Sequence, residues 1–132
     1  MFITKRVVEF GMCDAAGILF YPKAFELAHS AYEELILSQN SSVNFFKHNL
    51  FAIPIINTTA MFYKPITLHE TITLEISLTN KGVSSFELKT EFKSNKKVKA
   101  VVTTKHVFVN KKDFSSVEIP KDFLALLEKQ LK

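Results

Sequence analysis

At 132 residues, 47% hydrophobic and 23% charged, the chain excludes intrinsic disorder and can bury one core without a disulfide or a metal. A single cysteine fits a reducing cytoplasm, no run reaches the roughly 18 apolar residues of a membrane span, and the opening MFITKRVVEF lacks a signal peptide's apolar core. The sequence therefore reads as one cytoplasmic domain over residues 1–132 with no membrane partner, and its net charge of +4 is concentrated in residues 81–112, where nine lysines face only Glu87 and Glu91.

Thr4 to Phe10 reads as a strand, with Arg6, Val8 and Phe10 on one face. The segment Gly11 to Gly17, GMCDAAG, breaks that pattern with a glycine at each end. Only three glycines occur, where average usage gives about nine, and two of them bracket this loop. Pro22 suits the first turn of a helix, and Phe25, Ala28, Tyr32, Leu35 and Ile36 follow at helical spacing to an end near Gln39. Ser41 or Ser42 then fits the cap of a short second helix reaching Leu50.

After Pro54 the period becomes two. Ile55 to Tyr63 is a strand stopped by Pro65, and Thr71 to Thr79 alternates Ile72, Leu74, Ile76 and Leu78 with polar residues. Asn80-Lys81-Gly82 and Ser94-Asn95-Lys96 read as hairpin turns either side of a strand carrying Phe86, Leu88 and Phe92. Val98 to Val109 is a long β-branched strand, apolar on both faces, which suits a central or interface strand. Pro120 opens a terminal helix with Phe123, Leu124, Leu127 and Leu131 on one side. One long helix against an antiparallel sheet is an α+β layer architecture.

Asp14 is the sole carboxylate between Glu9 and Glu26, in a loop of small residues just before a helix start. One reading is structural, a helix cap or an Asx turn. The other is chemical. The first N–H groups of a helix beginning at Tyr21-Pro22 lack helical partners and lie at the positive end of its dipole, so they suit a carbonyl oxygen gaining charge. A carboxylate beside such a donor is a minimal acyl-transfer site. Cys13 has no histidine near it in sequence and reads as a small packing residue. His29, His48, His69 and His106 show no metal spacing, and His106 shares a strand face with Val98, Ala100, Val102 and Phe108, which suits an interface.

The run Asp14-Ala-Ala-Gly17-Ile-Leu-Phe-Tyr21-Pro22, after a strand, resembles the signature of the 4-hydroxybenzoyl-CoA thioesterase family of hotdog-fold proteins. Phe62-Tyr63-Lys64-Pro65, Gly82-Val-Ser-Ser-Phe86 and Ile119-Pro120 resemble later family segments, so the likeness covers nearly the whole chain. The resemblance implies one long helix packed against a curved antiparallel sheet of about five strands, a short C-terminal helix, and edge-to-edge pairing into a homodimer or homotetramer. It implies hydrolysis of an acyl-CoA thioester at a subunit interface, with CoA as part of the substrate and no separate cofactor or metal. By position Asp14 matches the catalytic aspartate, nucleophile or general base; Tyr21 matches the residue whose backbone N–H polarises the carbonyl; Gly17 matches a loop glycine that lets the acyl group approach. Two departures stand out. Some relatives carry histidine at the Tyr21 position and tyrosine at the Phe10 position, which aligns this chain with the hydroxybenzoyl type. His69-Glu70 stands where many members have Gly-Asp.

Phe20 and Phe25 are candidate acyl-pocket walls, as are Phe45 and Phe46, and Ser85 is a hairpin residue and candidate pantetheine contact. The basic segment suggests Lys93, Lys96 and Lys97, with Lys99, for the nucleotide end of CoA. Two rivals remain: a thioesterase acting on an acyl carrier protein, drawn by the same lysines, and a non-catalytic acyl-CoA-binding protein. Nucleic acid is the weakest rival and is not expected as a partner, because the basic segment has aromatics only at Phe86, Phe92 and Phe108 and lacks a glycine-aromatic recognition motif.

Overall fold

The structure, a computed structural model, describes residues 1–38 and 44–131. Strands β1 (Phe2–Val7), β3 (Ile55–Phe62), β4 (Thr71–Lys81), β5 (Ser85–Ser94) and β6 (Lys97–Val107) form one antiparallel sheet in the order β1-β4-β5-β6-β3. Two further short strands, β2 (Phe51–Ala52) and β7 (Val109–Asn110), pair with each other. Helix α1 (Tyr21–Leu37) lies across the sheet, and α2 (Lys121–Leu131) packs beside β4. This is the α+β architecture expected, with β2 and β7 as additions.

Period-two patterning creates the core. Ile72, Leu74 and Ile76 of β4, Phe86, Leu88 and Phe92 of β5, and Ala100, Val102 and His106 of β6 are buried on one sheet face. Against them α1 sets Ala24, Leu27, Ala28, Ala31, Tyr32 and Leu35, whose small residues let the helix approach closely. α2 closes the core with Phe123, Leu126, Leu127 and Leu131, and Phe123 meets Phe45 and Phe108 edge-on at ring distances of 4.8 Å each. The opposite sheet face is polar and internally paired: Lys93 meets Glu75 at 3.0 Å and Lys89 meets Glu91 at 3.9 Å.

Several boundaries differ from the sequence reading. β1 stops at Val7, and Phe10 lies instead in a 3-10 turn (Phe10–Met12), 79% exposed. The predicted helix end at Gln39 and the cap at Ser41 or Ser42 fall outside the described residues; Asn44 caps a short 3-10 turn, Phe45–Lys47, through a side-chain oxygen 2.9 Å from the Phe46 N–H. β4 runs on through Lys81, so the first hairpin turn moves to residues 82–84. The second turn is where expected, with Asn95 (φ 51°) and Lys96 (φ 64°) both left-handed as a tight two-residue hairpin demands. The run from Val98 to Val109 is not one strand. It ends at Val107 because Phe108 leaves the ladder, its N–H donating to the Ser84 carbonyl at 2.8 Å.

The residues that stiffen the site's end of the sheet are Glu70 and Lys99. Glu70 accepts from the Thr67 N–H (2.9 Å) and hydroxyl (3.1 Å) and pairs with Lys99 on β6. Burial pushes the carboxyl up, but the hydrogen bonds from Lys99, Ser94 and Thr67 outweigh it and hold the group down to about 2. A depressed carboxylate stabilises the fold above its unfolded pKa near 4.5, and that stability drains as pH falls through about 2. Chemical denaturation from pH 6 to pH 2 should show wild type losing on the order of 2 kcal/mol more than Glu70→Gln over this window; parallel curves would contradict this role for Glu70.

Candidate active site

Asp14 sits in a miniature hairpin. Cys13 bridges to Leu19, the Asp14 N–H donates to the Ile18 carbonyl at 2.9 Å, and the Gly17 N–H returns to the Asp14 carbonyl at 3.0 Å. Asp at the first turn position and glycine at the fourth is the preferred chemistry for such a turn, and Gly17 takes φ +77°, a conformation costly for any residue with a Cβ. Asp14 Oδ1 accepts from the Ala16 N–H (2.9 Å) and the Ile18 N–H (3.4 Å). This is the Asx turn of the structural reading; the helix-cap version does not hold, because α1 is capped by Phe20 with no side-chain acceptor. Asp14 is exposed, and its Oδ2 meets no donor among the described residues.

Backbone bonds fix this hairpin to the helix start. The Leu19 N–H donates to Ile66 (2.7 Å), the Leu68 N–H to Gly17 (3.2 Å) and the Phe20 N–H to Met12 (2.8 Å). Lys23 closes the first turn on the Phe20 carbonyl at 2.8 Å, and Pro22 has no N–H to give. The Tyr21 N–H meets no acceptor among the described residues and stands at the positive end of α1. Asp14 opens onto a cleft of about 540 Å³ lined by Phe10, Gly11, Cys13, Ala15, Gly17 and Leu68. Cys13 is therefore a cleft residue, half-buried, with its thiol donating to the Glu9 carbonyl at 3.7 Å.

The glycines divide. A Cβ on Gly17 would meet nothing within 4 Å, so within the chain it is the backbone angle that selects glycine there. Gly11 has no left-handed angle and equal free space, so the paired role read from the two bracketing glycines belongs to Gly17 alone. His69, in the position where the family resemblance expects glycine, does hold a left-handed φ of 66°.

The remaining candidates scatter. Phe20 is 46% exposed and meets the Tyr21 ring edge-on at 5.5 Å. Phe25 lines a different groove, with Glu26, His29, Ser30, Glu33 and Ile55. Of the other two phenylalanines, Phe45 is core and Phe46 packs on Tyr32. Ser85 pairs with Val107 at the far end of the sheet from the Asp14 loop, on the order of 30 Å along β4. Lys93 is committed to Glu75 and Lys99 to Glu70, whereas Lys96 and Lys97 project from the β5–β6 turn at the Asp14 end. His106, expected at an interface, is buried within the chain; burial and then the neighbouring His29 hold it down to about 4 and hence neutral.

The family model for the thioesterase-like superfamily matches residues 8–127. The chain belongs to that superfamily. Among curated proteins it is similar to the 1,4-dihydroxy-2-naphthoyl-CoA hydrolases of Nostoc punctiforme (29% identical, covering 96% of this chain and 86% of the relative) and Crocosphaera subtropica (32%, covering 82% of each). Among solved structures, a 1,4-dihydroxy-2-naphthoyl-CoA thioesterase from Synechocystis superposes with TM-score 0.87 at 20% identity, covering 96% of this chain and 94% of the other. A gentisyl-coenzyme A thioesterase superposes with TM-score 0.82 at 22% identity, covering 96% and 98%. The hotdog fold and the thioester-hydrolase class read from Asp14–Pro22 are thus those of its superfamily. Within this superfamily member, Gly17→Ala should cost about 1–2 kcal/mol by thermal or urea denaturation while Gly11→Ala stays within about 0.5 kcal/mol of wild type or gains; equal effects would contradict the division of the two glycines.

Proposed function

We propose that this protein hydrolyses an aromatic acyl-CoA thioester to the free acid and CoA. The observation that carries this reading is an exposed carboxylate, Asp14, on a backbone-bonded hairpin that leads into the start of α1, where the Tyr21 N–H meets no acceptor among the described residues. The thioester carbonyl docks on that N–H, which stabilises the oxygen as it gains charge. Asp14 Oδ2 either attacks the carbonyl, giving a mixed anhydride that water then cleaves to the free acid and restored Asp14, or takes a proton from the water that attacks directly. The leaving group is a thiolate, stable enough to depart without a general acid. The aromatic acyl class rests on the relatives' names and on Phe10 and Phe20 beside the site.

The reading needs two chains. β3 is an edge strand, and Ile55, Ile56, Met61, Phe62 and the following Tyr63 are exposed along it. Unpaired strand edges of this kind invite pairing. Two copies joined by a two-fold axis through β3 run antiparallel, so the Ile55 end of one meets the Phe62 end of the other. Ile55 lies at the Ser85 end of the sheet and Phe62 at the Asp14 end. A β3-paired dimer therefore brings the partner's Ser85 to the end that holds Asp14, supporting the pantetheine role read for it. Lys96 and Lys97 then serve the nucleotide phosphates. Lys93 and Lys99 are engaged by Glu75 and Glu70, which weakens the case for a lysine-drawn acidic carrier protein and favours CoA as the acyl donor.

Asp14→Asn should retain the fold, the dimer and CoA binding while kcat falls by about a thousandfold or more. Steady-state hydrolysis of a panel of aryl- and alkyl-CoAs, with light scattering on both proteins, checks this. Wild-type turnover by the variant, or a monomeric wild type that turns over, would contradict it.

A further inference from the structure

The groove that holds Phe25 shares no residue with the Asp14 cleft, although it is of similar size, about 480 Å³. It runs between the outward side of α1 and the first residue of β3, Ile55, which pairs across the sheet with His106. Its polar residues are His29, Ser30, Glu26 and Glu33. Behind His29 the rings form a column: Tyr32 at 5.8 Å, then His106 at 4.7 Å from Tyr32, then Phe86 stacked on His106 at 4.6 Å and 4°. His106 Nε2 meets the Thr104 hydroxyl at 2.8 Å. Its Nδ1 and the Tyr32 hydroxyl are buried without a partner among the described residues. A buried polar atom without a hydrogen bond is costly, and here two of them lie on rings of the column behind the groove.

The dimer geometry gives this groove a position. Antiparallel pairing through β3 sets the Ile55 end of one chain beside the Phe62–Tyr63 end of the other. There, Ile18 and Leu19, from the same hairpin as Asp14, line a shared depression with Phe62 and Tyr63. An acyl group whose carbonyl sits on Tyr21 of one chain thus extends toward the groove of the other. Resting on the thioesterase reading above, we propose that His29 of the partner subunit determines specificity by hydrogen-bonding a ring hydroxyl of the aromatic acyl group, with Tyr32 and His106 as the polar backing of that contact. An imidazole offers both a donor and an acceptor, and Glu33, one helical turn along, adds an acceptor. A site built to bond a hydroxyl rejects the analogue that lacks it, because its own polar groups are left unpaired.

The test compares kcat/KM for 1,4-dihydroxy-2-naphthoyl-CoA and 2-naphthoyl-CoA. His29→Leu should lower the ratio of the two by tenfold or more, and His29→Gln, which keeps a donor and an acceptor, should recover part of it. Co-purified heterodimers carrying Asp14→Asn in one chain and His29→Leu in the other then locate the contact. One of their two sites combines an intact Asp14 with the partner's intact His29, so the wild-type ratio should return at about half the wild-type rate per dimer. An unchanged ratio in His29→Leu, with Asp14→Asn inactive, would overturn this inference alone, as would heterodimers that keep the low ratio of the His29→Leu homodimer. Full activity in the Asp14→Asn homodimer would overturn the thioesterase reading and this inference with it.

Discussion

The position of the Asp14 carboxylate depends on one backbone turn closed by Gly17 at φ +77°. Backbone hydrogen bonds hold that turn in place: Asp14 to Ile18 closes it, Phe20 to Met12 ties the residue before α1 to it, and Leu68 to Gly17 and Leu19 to Ile66 tie it to the β3–β4 connection. The relative placement of the carboxylate and the Tyr21 N–H is therefore set by covalent geometry and main-chain pairing rather than by mobile side chains. Donors held in this way need no rearrangement as charge develops, which is the condition under which they act most strongly. The Asx turn and the catalytic role are compatible, because the turn uses Oδ1 and leaves Oδ2 free.

Strand order decides what the hairpin can do next. With β3 at the edge, the sheet ends in a strand with exposed apolar side chains. The outer sheet face, by contrast, satisfies its own charges through Lys93–Glu75 and Lys89–Glu91. In the proposed dimer, a two-fold axis at β3 would join ends of the sheet that lie far apart in one chain, and a site divided between Asp14 and the groove at His29 would be completed by symmetry rather than by folding.

What the sequence revealed follows the range of each signal. The strands from Ile55, Thr71 and Phe86 and the helix from Tyr21 are local periodicities against one core, and they were legible residue by residue. The Asp14–Gly17 turn was legible for the same reason, since the bonds that close it span at most four residues of chain. Phe10 misled because it continues the alternation of Arg6 and Val8, while the 3-10 turn that starts there swings its ring to the cleft wall. The β-branched run in β6 suits a central or an interface strand, and β6 proves to be flanked on both sides; choosing between the two needs strand order, a tertiary property that no local period encodes. Lys93 looked available for phosphate until the β4–β5 register placed Glu75 beside it. His29 and His106 carried no spacing signal at all; their relation appears only when α1 is laid on β6.

In the proposed dimer, one thioester lies between Asp14 and the Tyr21 N–H of one chain and the groove of its partner. A crystal structure of the inactive Asp14→Asn dimer with 1,4-dihydroxy-2-naphthoyl-CoA bound tests it most directly. The carbonyl oxygen should lie about 2.7–3.1 Å from the Tyr21 nitrogen, with the naphthoyl ring beside the partner's His29 across β3. A carbonyl remote from the start of α1, or a ring held wholly within the chain that binds the carbonyl, would contradict it.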